Sequence, residues 1–138
     1  MITILGSTGT IGKNTLSVIS KLKNKEYIFA LTANSSSKLL FKQITQYTPQ
    51  YAVIGDEVSA DKLAILCKEN NVETKILYGD SGLKYVVEHK MVESVVSAIV
   101  GAAALKPTLA AINKGKKILL ANKESLIMSG SLMIKAAH

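Results

Sequence analysis

The chain contains no arginine or tryptophan, a single cysteine, two prolines and two histidines. With Cys67 alone, no disulfide closes within the chain and no cysteine-rich zinc site forms; a reducing, cytoplasmic setting follows by default. No apolar run reaches the ~18 residues of a membrane span. The longest, near Val95–Leu105, is interrupted by Ser97 and Gly101, so no membrane partner is expected. The N-terminus lacks the basic-then-apolar order of a signal peptide, its first lysine being Lys13. Acids thin out along the chain: after Glu93 only Glu124 remains. That leaves no paired-carboxylate cluster and no metal-ligand spacing. His89 and His138 stand apart from other candidate ligands, and no Ser–His–Asp or Cys–His arrangement assembles from these residues.

The 138 residues suit one domain, and a net charge of +7 raises the question of nucleic acid. The basic set is lysine only and spread along the chain, and the five Tyr and two Phe do not alternate with it in a stacking pattern. Its densest cluster, Lys21, Lys23 and Lys25, falls at an expected helix end, where cations complement the dipole without any ligand. No nucleic-acid partner is therefore expected. An anionic small molecule needs fewer contacts and fits better. An apolar fraction of 48% with mean hydropathy +0.25 suits strands covered on both faces.

Strand and helix patterns alternate with a period of roughly 22 residues. Expected strands are Ile2–Leu5, Tyr27–Ala33, Tyr51–Ile54, Thr74–Tyr78, Ser94–Val100 and Lys117–Ala121. Between them, Leu40, Ile44 and Tyr47 share one helix face, as do Leu63, Leu66 and Cys67. Leu83, Val86 and Val87 mark a shorter helix. Another carries Leu105, Leu109 and Ile112, with Pro107 near its start and Gly115 just past its end. A last helix is expected from Glu124 onward. This order predicts an α/β fold: a doubly wound, mostly parallel, Rossmann-like sheet of about six strands with helices on both faces. No internal boundary divides residues 1–138.

In such sheets ligands bind outside the carboxyl ends of the strands. After the first strand comes Gly6-Ser7-Thr8-Gly9-Thr10-Ile11-Gly12, then a helix from about Thr10 to Leu22. Strand, glycine turn and helix in that order bring backbone N–H groups and a helix N-terminus to a phosphate. Gly6 allows the sharp turn, Gly9 lets the backbone approach a pyrophosphate, and Gly12 lets helix and strand pack closely. Ser7, Thr8 and Thr10 add hydroxyl donors. After the second strand, Asn34, Ser35, Ser36, Ser37 and Lys38 offer amide, hydroxyls and a lysine but no acid. A carboxylate there would hold a ribose 2′-OH and repel a 2′-phosphate, so its absence favours NADP over NAD. The same serines suit a helix cap, and the two roles are compatible. After the fifth strand, the small residues of Ala98–Ala104 allow either a flat ring or tight helix–sheet packing. After the sixth come Asn122, Lys123, Glu124 and Ser125. Glu124 satisfies a helix N-terminus, whereas Lys123 opposes the dipole, which points to an anionic substrate group beside it.

The segments 6–12, 98–103 and 119–126, together with 51–54 and 107–112, resemble the N-terminal part of the 1-deoxy-D-xylulose 5-phosphate reductoisomerases. The resemblance covers essentially the whole chain. It implies an enzyme that rearranges its sugar phosphate and reduces the resulting aldehyde with NADPH, giving 2-C-methyl-D-erythritol 4-phosphate for non-mevalonate isoprenoid synthesis. It also implies that residues 1–138 form the NADPH-binding domain. Thr8, Gly9, Thr10 and Ile11 would line the pyrophosphate, Asn34, Ser35 and Ser36 would lie near the adenosine 2′-phosphate, and Asn122 and Glu124 would contact NADPH. Lys123 would contact the sugar phosphate. The family commonly has Gly, Lys or Arg, and Asn where this chain has Asn34, Ser35 and Ser36; Lys38 is the substitute cation. The family's divalent metal, Mg²⁺ or Mn²⁺, is held by carboxylates after residue 138. The full-length enzyme is then expected to be a metal-dependent homodimer, with this stretch binding cofactor and inactive alone. Two other readings are a cofactor domain of another NADP-dependent oxidoreductase, such as a semialdehyde dehydrogenase, and a stand-alone nucleotide-binding module. Asn122–Ser125 argues against the former, and the reading frame past codon 138 discriminates the latter.

Overall fold

The computed structural model describes residues 1–21, 28–99 and 101–120. In chain order these form β1 (Ile2–Leu5), α1 (Thr10–Lys21), β2 (Ile28–Thr32), α2 (Ser37–Tyr47), β3 (Tyr51–Ile54), α3 (Glu57–Glu69), β4 (Lys75–Tyr78) and α4 (Gly79–Glu88). There follow β5 (Ser94–Ser97), a 3₁₀ turn (Gly101–Ala104), α5 (Leu105–Asn113) and β6 (Lys117–Leu120). The six strands make one sheet, ordered β4-β3-β2-β1-β5-β6, and every pairing is parallel. The expected α/β class is therefore correct.

Successive strand residues point to opposite faces, so a strand apolar at every position must be covered twice. Ile4, Ile54 and Val96 pack with Leu16 of α1, Leu40 and Ile44 of α2, and Leu63 and Cys67 of α3. Leu5, Phe29, Val53 and Val95 pack on the other face with Val86 and Val87 of α4 and Ala111 of α5. Helices α1–α3 thus cover one face and α4–α5 the other. The chain steps outward from β1 through β2, β3 and β4, then returns along α4 to place β5 on the opposite flank of β1. The order reverses between β1 and β5, whose register runs from Ile2 opposite Ser94 to Leu5 opposite Ser97. That reversal opens a crevice at the carboxyl ends of these two strands.

Some element ends differ from expectation, each for a local reason. Thr74 stays outside β4 because its hydroxyl donates to the Pro49 carbonyl at 2.6 Å. Ala33 donates to the Val53 carbonyl, yet the chain leaves β2 after Thr32. β5 ends at Ser97 rather than Val100: Ala98 still donates to Leu5 at 2.9 Å, after which the chain turns through Gly101, at φ +80°, into the 3₁₀ turn. On α3 the buried line runs through Ala60, Leu63 and Cys67, and Leu66 is 40% exposed instead of sharing that face. At about 100° per residue Ala60, Leu63 and Cys67 fall within about 60° of one another, whereas Leu66 lies about 100° around the helix from Cys67 and clear of that line. The Pro107–Gly115 asymmetry is borne out, with Pro107 buried in the first turn of α5. Gly115, at φ +72°, donates to the Ile112 carbonyl just past the helix. Lys21 does end α1. Tyr27, Lys23, Lys25, Val100, Ala121 and the helix expected from Glu124 lie outside the described residues. Among the described residues no helix is long and apolar enough to cross a membrane.

Candidate functional site

The turn after β1 stands at the crevice, and each of its glycines is placed differently. Gly6 has φ +77°, and a Cβ there would lie 2.8 Å from the Ala98 carbonyl oxygen, so the turn abuts the end of β5. A Cβ on Gly12 would lie 2.3 Å from the Gly6 carbonyl oxygen and 2.5 Å from Ser7 Cα, so α1 sits directly on the turn. Gly9 is exposed, and a Cβ there would meet only the Gly6 oxygen, at 3.7 Å. Nothing in the described protein fills the space beside it.

The turn is anchored from β2 and α2. The Gly6 N–H donates to the Thr32 hydroxyl at 2.9 Å, and the Ser7 N–H donates to the Thr32 carbonyl at 2.8 Å. The Ser7 hydroxyl donates to Gln43 Oε1 at 2.7 Å, and Gln43 Nε2 donates back to the Ser7 carbonyl at 2.9 Å. Ser7 is fully buried and Gln43 nearly so. Ser7 is therefore not a donor toward the crevice, contrary to the sequence reading; its hydroxyl is spent inside the fold. Gln43, whose sequence neighbours suggest only a solvated helix position, was missed. It lies one turn before Tyr47 on α2, next to the apolar Ile44, and no local pattern links it to a serine 36 residues away.

These bonds consume the amides of Gly6 and Ser7, and Gly9 donates weakly back to Gly6 at 3.3 Å. The N–H groups of Thr8, Thr10 and Ile11 have no partner in the described protein, and the α1 ladder opens with Lys13 donating to Gly9 at 2.9 Å. The first turn of α1 has no acid. Amides with no internal partner at a helix N-terminus form a ready site for a phosphate-like anion. Ile11 is 45% exposed, an apolar surface on the same first turn.

The loop after β2 lies on the same sheet edge. Gly55 donates to the Asn34 carbonyl at 3.0 Å, and a Cβ on Gly55 would lie 2.5 Å from Asn34 Oδ1. Asn34, Ser35 and Ser36 are exposed. Ser36 occupies the N-cap of α2 without a side-chain capping bond, and the first turn of α2 contains Lys38 and no acid. The capping role expected of these serines is thus not used. On the neighbouring connection, Asp56 caps α3, accepting the Ser59 N–H at 2.8 Å. That bond, with the Ser59 hydroxyl, holds its carboxyl below the usual value. At the end of β5 the buried hydroxyls of Ser97 and Thr108 bond at 2.9 Å, fixing α5 beneath the crevice.

Asn122, Lys123 and Glu124 lie outside the described residues. His89 caps the far end of α4, where its ring stacks on Phe29 at 4.6 Å and its Nδ1 accepts the Met91 N–H. Among the described residues no three His, Cys, Asp or Glu side chains gather as metal ligands. Two grooves, one between α4 and α5 and one at the starts of β3 and β4, touch no residue of the glycine turn.

With this geometry established, comparison with known proteins is decisive. Residues 2–130 match the family model of 1-deoxy-D-xylulose 5-phosphate reductoisomerase. The chain belongs to this family. Relatives named 1-deoxy-D-xylulose 5-phosphate reductoisomerase include that of Pseudomonas syringae pv. tomato, 48% identical over 99% of this chain and 35% of that protein. The Saccharophagus degradans protein is 50% identical over 99% of this chain and 35% of its own length. A crystal structure of the reductoisomerase with NADPH, fosmidomycin and magnesium superposes with a TM-score of 0.93 at 42% identity, covering 99% of this chain and 33% of the other. The Zymomonas mobilis reductoisomerase, solved with NADPH, gives 0.87 at 37% identity, covering 98% of this chain and 35% of that one. The chain therefore spans about a third of the length of the reductoisomerases it matches.

Proposed function

We propose that this chain is the NADPH-binding part of a 1-deoxy-D-xylulose 5-phosphate reductoisomerase, which converts its sugar phosphate to 2-C-methyl-D-erythritol 4-phosphate. The observation that carries the reading is the open backbone at Gly9, flanked at the switch of strand order by the amides of Thr8, Thr10 and Ile11, which have no partner among the described residues. A nucleotide diphosphate supplies the negative charge those amides call for, and Gly9 supplies the room. Asn34, Ser35 and Ser36, with Lys38, take the adenosine 2′-phosphate at the uncapped start of α2. Asn122 and Glu124 contact NADPH, and Lys123 the anionic substrate. When bound, NADPH supplies hydride to the rearranged aldehyde; this chain's residues bind and orient it. The divalent metal, Mg²⁺ or Mn²⁺, and most of the sugar-phosphate site belong to the remaining length of the enzyme. The same reading makes the full-length protein a cytoplasmic homodimer.

Titration calorimetry with NADPH and NADH tests the assignment. NADPH should bind at least about tenfold more tightly, or 1.4 kcal/mol. Asn34→Asp should reverse the order, because a carboxylate repels a 2′-phosphate and accepts from a 2′-OH. Equal affinities would remove the 2′-phosphate assignment, and binding of neither nucleotide would remove the function itself.

A further inference from the structure

The turn that meets the nucleotide is held by two side chains from other elements, Thr32 of β2 and Gln43 of α2, and the direction of the Gln43 contact decides what the turn can bind. A trans peptide is planar, with its C=O and N–H on opposite sides. All peptides of the described chain are trans. The Ser7 carbonyl belongs to the same peptide unit as the Thr8 N–H. Gln43 Nε2 donates to that carbonyl at 2.9 Å from within the fold. The Thr8 N–H is thereby turned the other way, outward, where it has no partner among the described residues.

We infer that Gln43 is the positioning residue of the diphosphate turn: by holding the Ser7 carbonyl inward it keeps the Thr8 amide aimed at the nucleotide. The inference rests on the NADPH reading above. Both ends of the Gln43 amide are engaged, Oε1 accepting from the Ser7 hydroxyl at 2.7 Å, so the group has one orientation in which donor and acceptor both pair. Were the donor lost, the Ser7–Thr8 peptide could rotate and present its carbonyl oxygen to the phosphates instead of its N–H. A carbonyl facing a phosphate repels it. The arrangement also ties the turn to α2, whose first turn follows Asn34–Ser36, so the two nucleotide contacts move as one unit.

Gln43→Glu tests the donor alone, because an ionised carboxylate still accepts the Ser7 hydroxyl but has nothing to donate to the Ser7 carbonyl. NADP⁺ binding to the full chain is measured by calorimetry from about pH 8 to pH 5, with the unsubstituted protein at every pH as reference, since the 2′-phosphate itself titrates near ~6. At about pH 8 the variant should bind at least tenfold more weakly. Burial raises the pKa of a carboxyl, and a protonated Glu regains one O–H donor with the shape of Gln, so the deficit should shrink as the pH falls. No titratable side chain lies in β1, the turn or β2, and Lys13 of α1 and Lys38 and Lys42 of α2 are exposed. Gln43→Met, which has no donor at any pH, should stay weak throughout. It also serves as the second variant if Gln43→Glu melts before binding can be read. A merely structural role would lower the melting temperature of both variants without a pH-dependent recovery of affinity in one. At about pH 8, binding of NADP⁺ by either variant as tightly as by the unsubstituted chain overturns the inference, as does a Glu deficit that does not change with pH. Failure of the unsubstituted chain to bind NADP⁺ is a different result, and overturns the nucleotide site itself.

Discussion

Gly6, Gly9 and Gly12 share one turn, yet each lacks a side chain for a different physical reason. Gly6 needs a left-handed backbone and clearance from Ala98, and Gly12 needs clearance from the turn beneath it. Gly9 needs neither within the described protein. Substitution should therefore separate fold from function. Gly12→Ala places a Cβ against backbone atoms that cannot rotate away, and overpacking of this kind costs about 1–3 kcal/mol or more. Its melting temperature should drop by several degrees. Gly9→Val should leave the melting temperature nearly unchanged and abolish NADPH binding by calorimetry. A Gly9→Val protein that binds normally would show the space beside residue 9 to be empty of ligand. The roles of Gly6 and Gly12 were legible because glycine spacing between a strand and a helix constrains geometry directly. Ser7 was not: its hydroxyl could face either side of the turn, and the choice is made by Gln43 from α2.

At the scale of elements, the starts of α2 and α3 contrast. Both follow strands at the same sheet edge, but α3 is capped by Asp56 and α2 is left without a side-chain cap. The cap on α3 contributes to stability, whereas at the start of α2 only the Ser37 N–H finds a near partner, the Ser35 carbonyl, and no side chain caps the turn, which is what the proposed 2′-phosphate contact would use. The Asp56 carboxyl is held below its ordinary 3.8 by the Ser59 N–H first and the Ser59 hydroxyl second. Because its folded value lies below the unfolded one, the cap contributes fully above pH 3.8 and is lost as the pH falls through the folded value. Asp56→Ala should lower the melting temperature at neutral pH, with the gap from the unsubstituted protein closing in acid; a gap constant with pH would mean that the carboxylate does not cap. Element number and type followed from periodicity and from the Pro107–Gly115 punctuation. Ends were less legible, since β5 stops where Gly101 turns the chain and β4 starts where Thr74 finds Pro49. Leu66 shows the other limit: an apolar residue three positions from Leu63 fits the sequence pattern, yet it lies outside the arc that Ala60, Leu63 and Cys67 turn to the core.

At the scale of the molecule, alternating strands and helices imply a parallel sheet but leave the strand order open. The order β4-β3-β2-β1-β5-β6 brings residues 6–12 beside Ala98, although more than 80 residues separate them in sequence. The proposed nucleotide site is thus a product of the whole sheet: β1 supplies the turn, β2 the Thr32 anchors, α2 the Gln43 contact and the end of β5 the wall. A ligand that touches so many elements binds the native state and not the unfolded chain, so its affinity appears directly as stability. At a free NADPH concentration about 100 times Kd the native chain should gain about 2.7 kcal/mol. For a domain of this size that corresponds to a rise in melting temperature of roughly 6–12 °C. NADH should need about ten times the concentration for the same rise, given the affinity ratio expected from the acid-free loop after β2. Gly9→Val should melt at the same temperature with and without NADPH, because the turn it alters is where the diphosphate enters. Differential scanning fluorimetry across a nucleotide series measures all three. An unshifted melting curve for the unsubstituted chain at millimolar NADPH would mean that these elements, although assembled around the crevice, do not hold the nucleotide there.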